Sequence, residues 1–183
     1  MVNIHLRHIE KADLPEYTYW KQPIHKYHGF NGPYFKKQTK AEIDLKIQAL
    51  SKALDEGISV PIPGKKIISN QQNDLLGEVN WYWKSAETNW LEIGLVIFDE
   101  SNWSKGIGYQ ALTLWIKEIF EEKKDLVRIG LSTWSGNKGM IRLAEKLGMI
   151  KEAQYRRARI VNGRYFDSIS YGILKEDWAA RQK

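Results

Sequence analysis

Apolar residues recur along the chain at two different spacings, and the switches between them mark out most of the elements. From Leu91 to Phe98 apolar and β-branched residues run almost unbroken, the pattern of a buried strand. A polar turn follows at Asp99-Glu100-Ser101-Asn102, then Trp103-Ser104-Lys105-Gly106-Ile107-Gly108. Beyond it Leu112, Trp115, Ile116, Ile119 and Phe120 are spaced as on one face of an amphipathic helix. A second helical face carries Ile43, Ile47, Leu50 and Leu54, opened by the capping box Thr39-Lys40-Ala41-Glu42 and closed by Gly57. Leu75–Trp83 and Trp90–Phe98 predict an antiparallel pair across Lys84–Asn89, and Leu126–Thr133 the next strand. Lys138–Leu147 predicts a helix with Met140, Ala144 and Leu147 inward and Gly148 at its end. Arg157–Leu174 predicts a hairpin turning at Asn162-Gly163.

The amino-terminal third is less regular. Val2–Ile9 alternates as a short strand, and Asp13-Leu14-Pro15-Glu16 carries a helix-start signal for a helix bearing Tyr17 and Trp20 and ending before Pro23. The segment from His25 to Pro33 reads as a loop. His25 and His28 could ligate a metal, but no third ligand cluster accompanies them, so an aromatic loop and no metal are expected. Ile58–Ile68, with two prolines, predicts an edge strand, and Asn70–Asp74 a turn. Trp81, Tyr82, Trp83 and Trp90 could stack on a substrate or pack across strands, and packing is the commoner use. Arg156, Arg157, Arg159 and Arg164 could meet an acidic substrate or form a solvated face. No internal repeat or linker is visible, so residues 1–183 are expected to form one domain.

Composition narrows the classes. The 183 residues are 43% hydrophobic and 27% charged, as in a globular chain. No apolar run approaches the ~20 residues of a membrane span, and the first ten residues have no signal-like core. The absence of cysteine excludes disulfides, thiolate metal sites and a cysteine nucleophile, and suits a cytoplasmic protein. A net charge of +6 is compatible with an anionic ligand, such as a polyphosphate cofactor or an RNA-rich particle, or with solubility alone.

A strand, a glycine-bearing loop and a helix start make an anion-binding arrangement. The first turn of a helix has amides without intrahelical partners and carries partial positive charge. Gly106 and Gly108 let a phosphate approach the backbone, and Lys105 adds a cation. Two glycines that merely turn the chain are the plainer alternative. Gly106-Ile107-Gly108-Tyr109-Gln110-Ala111 formally fits the dinucleotide fingerprint, but its strand ends too early and no carboxylate closes Leu126–Thr133. A P-loop fails because Lys105 precedes the glycine.

The stretch resembles the acetyl-CoA signature of the GNAT superfamily, in which strand four leads through Arg/Gln-x-x-Gly-x-Gly/Ala into helix three. Trp103 stands at the Arg/Gln position. Asp99 to Gly106, D-E-S-N-W-S-K-G, is similar to the D-P-E-Y-W-G-K-G pattern of the ribosomal-protein N-terminal acetyltransferase branch. Asn137 to Met149 resembles the family's Asn-bearing helix segment, and Tyr165 to Leu174 followed by Trp178 its closing strand.

The resemblance implies an α/β (mixed α+β) fold, with a mostly antiparallel sheet splayed at strands 4 and 5 and flanking helices. It implies an acyl-CoA-dependent N-acetyltransferase acting by direct attack in a ternary complex on a protein N-terminus or small amine. Acetyl-CoA would be held by Trp103, Ser104, Lys105, Gly106, Ile107, Gly108 and Tyr109, with Asn137 a further contact or only a helix cap. An amide near Val96 and Ile97 would polarise the thioester carbonyl. Glu92 is the candidate base, with Glu78 in reserve and a solvent-side strand residue as the alternative reading. The tyrosine that commonly protonates the leaving thiolate is replaced by Ala144, and the serine alternative by Met140. Tyr109 and Ser135 are nearby hydroxyls that no motif places, so the acid is unassigned. The resemblance leaves room for a homodimer and implies no membrane partner. A CoA-binding module with weak or lost catalysis, and a basic nucleic-acid-associated protein, are the other classes. Direct nucleic-acid binding is not expected, since no RNA or DNA motif is present.

Overall fold

The computed structural model describes residues 3–182, so Met1, Val2 and Lys183, the outermost positions of the predicted domain and first strand, lie outside the described residues. In chain order the elements are β1 (Ile4–Arg7), α1 (Leu14–Lys21), α2 (Lys40–Asp55), β2 (Lys65–Asn70), β3 (Leu75–Ser85), β4 (Trp90–Ile97), α3 (Ile107–Glu122), β5 (Arg128–Trp134), α4 (Lys138–Lys146), β6 (Ile150–Val161), β7 (Arg164–Leu174) and α5 (Lys175–Arg181). The strands form one seven-stranded sheet in the order β1-β2-β3-β4-β5-β7-β6. β4 and β5 run parallel, with Leu91 opposite Ile129 and Glu92 opposite Gly130. The pairs β1–β2, β2–β3, β5–β7 and β6–β7 are antiparallel. This is the mixed, mostly antiparallel α/β architecture that the resemblance implies.

Local signals explain most boundaries. Thr39 Oγ1 accepts from the amide of Glu42 at 3.3 Å while the Glu42 carboxylate accepts from the amide of Thr39 at 2.7 Å, so the predicted capping box starts α2. Asn162 (φ 50°) and Gly163 (φ 73°) join β6 to β7, as a tight hairpin turn requires. Two expectations are corrected. The edge strand over 58–68 does not form: Pro61, Pro63 and Gly64 (φ 71°) make a turn, and β2 begins only at Lys65. β2 also lies between β1 and β3, so the edges are β1 and β6. Asp13 precedes α1 without capping it. Its carboxylate binds Arg7 at 2.6 and 2.7 Å and accepts the amide of Glu10, closing the 3-10 turn Lys11–Asp13.

The chain divides into two compact units, one of residues up to Asn80 with Leu95–Ala111, the other of Trp81–Gly94 with Leu112 onward. The first is built on a cluster of Ile9, Leu14, Tyr17, Tyr27, Leu50, Ile67, Leu75, Val96 and Phe98, with Trp20, Ile47, Leu54, Ile62 and Trp103 packed against it. In the second, the buried side chains include Leu91 and Ile93 of β4, Ile129 and Leu131 of β5, Ala144 of α4 and Ile173 of β7. The predicted face of α3 is buried as expected, from Leu112 through Phe120.

Candidate functional site

The loop that the sequence singles out is exposed at Ser104, Lys105 and Gly106, and α3 starts directly after it at Ile107. Ser104 (φ 61°) and Gly106 (φ 83°) both have left-handed backbone, on either side of Lys105. Left-handed residues along a turn are how successive amides come to face one anion. A Cβ on Gly106 would meet nothing within 4 Å, so what demands glycine there is its backbone conformation. Ile107 is buried and anchors the first turn of the helix, whose opening amides have no intrahelical partner. The residues present therefore fit a pyrophosphate: open backbone, a helix start and the exposed ammonium of Lys105.

Trp103 fixes this loop to the end of β4. Its indole N–H donates to the carbonyl of Ile97 at 3.0 Å, and its ring meets Phe30 edge-on at 5.4 Å between centroids. Thus Trp103, the residue that departs from the family's Arg/Gln, is the brace between two predicted site segments. Val96 is buried, and a Cβ on Gly77 of β3 would lie 2.1 Å from its carbonyl oxygen. Only glycine at 77 permits that approach. The amide of Phe98 donates to Leu76 at 3.0 Å, so the end of β4 is held on both sides of Ile97.

Glu92, in the second unit, is 3% exposed. Its carboxylate accepts from the Tyr82 hydroxyl at 2.5 Å and from Ser132 Oγ at 3.0 Å, and Lys84 Nζ stands 3.7 Å away. Gly130 stands opposite it in the register. Both hydroxyls belong to residues exposed at the surface, whereas the carboxylate is buried.

Glu78 differs in kind. In the first unit it is buried and bound by Tyr17 at 2.8 Å, Lys21 at 2.7 Å and Lys65 at 3.1 Å. Burial pushes its pKa up, but Lys21 and Lys65 more than reverse that and hold it down at about 2. A carboxylate so strongly paired is a structural anion, which removes it as the reserve base. Asn137 Oδ1 accepts the Met140 amide at 3.0 Å and so caps α4, the plainer of its two expected uses. Ser135 Oγ accepts the amide of Asp167 at 3.0 Å, tying the end of β5 to β7. Ala144 is fully buried and offers no acid, and Tyr109 is 36% exposed in the first turn of α3. His25 binds the Tyr19 carbonyl and His28 stacks on Tyr27 at 4.0 Å; no group of three or more metal-ligating side chains occurs among the described residues.

Sequence reasoning missed Ser132 and Gly77, and weighed Tyr82 only for stacking or packing, not as a partner of Glu92. Tyr82 lay within an aromatic run whose other members do pack: Trp81 meets Trp83 at 5.5 Å, Lys123 sits over Trp81 and Arg128 over Trp90. The usable signal was alternation. Ser132 stands two residues beyond Gly130, on the strand face that meets Glu92.

Comparison with known proteins fits this geometry. The acetyltransferase (GNAT) domain family matches residues 3–150. Two Bacillus subtilis (strain 168) proteins are each 25% identical to the chain. The SPbeta prophage-derived uncharacterized N-acetyltransferase YokL matches over 61% of this chain and 62% of its own length. The "Putative ribosomal N-acetyltransferase YdaF" matches over 54% of this chain and 67% of its own length. The chain thus spans about two thirds of these relatives. Among solved structures, the Vibrio cholerae spermidine N-acetyltransferase in complex with CoA and spermine superposes with a TM-score of 0.75 at 17% identity, covering 96% of this chain and 98% of that one. A GNAT-family acetyltransferase from Bacillus anthracis gives 0.71 at 20% identity, covering 96% and 98%. With a family match over most of its length and the strand–loop–helix device in place, the chain belongs to the acetyltransferase (GNAT) family.

Proposed function

We propose that the protein transfers an acetyl group from acetyl-CoA to a primary amine, a protein N-terminus or a small molecule, by direct attack in a ternary complex. The observation that carries this reading is the exposed, left-handed turn at Ser104 and Gly106 opening into α3 and braced to Ile97 by Trp103. Residues 103–109 bind the pyrophosphate of the cofactor, with helix amides and Lys105 facing its negative charge. An amide near Val96 and Ile97 donates to the thioester oxygen, where charge develops in the tetrahedral intermediate. Bound acetyl-CoA supplies the activated acyl carbon and a thiolate leaving group.

The amine must lose a proton to attack, because ammonium has no lone pair. Glu92 takes that proton through Tyr82, Ser132 or a water, since its carboxylate is buried behind both hydroxyls. In a concerted relay Tyr82 passes its own proton to Glu92 while receiving one from the amine, so no phenolate accumulates. Mass spectrometry of N-terminal peptides, polyamines and aminoglycosides incubated with acetyl-CoA tests the assignment: one class gains an acetyl group on nitrogen. The competing reading, a CoA-binding module with lost catalysis, draws on Ala144, fully buried where the family commonly has a tyrosine. CoA binding with no acetylated product from any amine would favour it.

A further inference from the structure

Within the first unit, beside α1, α2 and β2, lies a pocket of about 430 Å³ that the proposed chemistry does not use. Its size falls in the range of small-molecule sites. One part of its wall is apolar, from Ile43, Ile47 and Ile62; another is cationic, from Lys21, Lys46 and Lys65. No carboxylate lines it. Glu78 lies behind Lys21 and Lys65 and pairs with both, and Glu42, outside the lining, acts on Lys46, so the three ammonium groups are offset by two carboxylates. The local excess is one positive charge.

That excess acts within the cluster. Burial disfavours the Lys21 ammonium; Glu78 opposes this, while Lys65 and Lys46 add repulsion, and the net effect is a lowered pKa. An anion entering the pocket would relieve the repulsion, whereas a cation would add to it. The apolar wall requires that the anion also carry hydrocarbon, since a bare inorganic ion would leave Ile43, Ile47 and Ile62 facing water.

We infer that this pocket binds a small aliphatic carboxylate, its head group facing Lys21, Lys46 and Lys65 and its chain lying on the isoleucines, and that it rejects polycations. The inference stands on the pocket alone and does not depend on acetyl transfer.

Saturation-transfer NMR and calorimetry with hexanoate, hexanol, hexylamine, spermidine and sulfate on the intact protein provide the test. Hexanoate should bind about tenfold more tightly than hexanol, the scale of one charge-assisted contact, and hexylamine and spermidine should not compete. Sulfate should compete weakly. Lys46 is exposed and outside the Glu78 pairing, so Lys46→Ala should keep the melting temperature and weaken hexanoate about tenfold, with Lys46→Glu weakening it further. Hexylamine or spermidine binding at least as tightly as hexanoate would overturn the inference. So would unchanged hexanoate affinity in a folded Lys46→Glu protein, equal displacement by sulfate, or binding of none of the probes.

Discussion

The indole nitrogen of Trp103 lies 3.0 Å from the carbonyl oxygen of Ile97, joining the exposed glycine loop to the last residue of β4. Position 103 is therefore a brace whose loss should move the loop. Trp103→Phe keeps an aromatic ring and removes the donor, leaving the Ile97 carbonyl without that bond. A stability loss of about 0.5–1.5 kcal/mol is expected, with weaker CoA binding. Denaturant unfolding with a calorimetric CoA titration checks both; unchanged CoA affinity would separate the brace from the cofactor site.

Gly106 tests the loop itself. Left-handed backbone costs a residue with a Cβ roughly 1–2 kcal/mol, and more for a β-branched one. Gly106→Val should leave the fold intact, since open space surrounds the position, and should abolish CoA binding. Binding within twofold of wild type would place the cofactor elsewhere.

Glu78 predicts an acid limb in stability. Its folded-state pKa is depressed, from 4.5 to about 2, so the folded protein holds the carboxylate ionised where the unfolded chain would protonate it. The sign follows: the contribution is fully present above the unfolded value and is lost as pH falls from about 4.5 through about 2. Burial of Lys21 offsets part of the attraction, so the loss should be on the order of 1–3 kcal/mol. Glu78→Gln should be less stable at neutral pH, because Lys21 and Lys65 lose their counter-charge, and should show a flatter acid limb. A mutant limb as steep as wild type would assign the pH dependence to other carboxylates.

The proton path is tested by three variants. Glu92→Gln keeps shape but cannot act as a base, so kcat should fall 10²–10⁴-fold with CoA affinity nearly intact. Higher pH should partly rescue it, because more of the amine is already neutral. Tyr82→Phe and Ser132→Ala report which hydroxyl relays the proton: the relay variant should lose activity comparably, the other little. Turnover near wild type in Glu92→Gln would make Glu92 a structural acceptor for Tyr82 and Ser132.

How much of this was legible in the sequence depended on whether a signal was local. The capping box at Thr39 and Glu42, the Asn162-Gly163 turn and the buried face of α3 are set by residues within a few positions of one another. So is the glycine loop ahead of α3. The 58–68 strand failed because apolar Ile58, Val60 and Ile62 looked strand-like while Pro61, Pro63 and Gly64 turned the chain. Partners distant in sequence were not visible. Ser132 reaches Glu92 across 40 positions and Lys21 reaches Glu78 across 57, and only the sheet register and helix packing bring them together. Asp13 carried a true helix-start signal, yet Arg7 and the amide of Glu10 took its carboxylate instead.

Amine-dependent release of free thiol from acetyl-CoA tests the central claim most directly. The purified protein, with acetyl-CoA and each amine of the panel, should release thiol far above the no-amine blank for at least one class. The rate should saturate in both substrates and vanish in Gly106→Val. Folded protein that binds CoA yet releases thiol no faster with any amine than without would contradict the account.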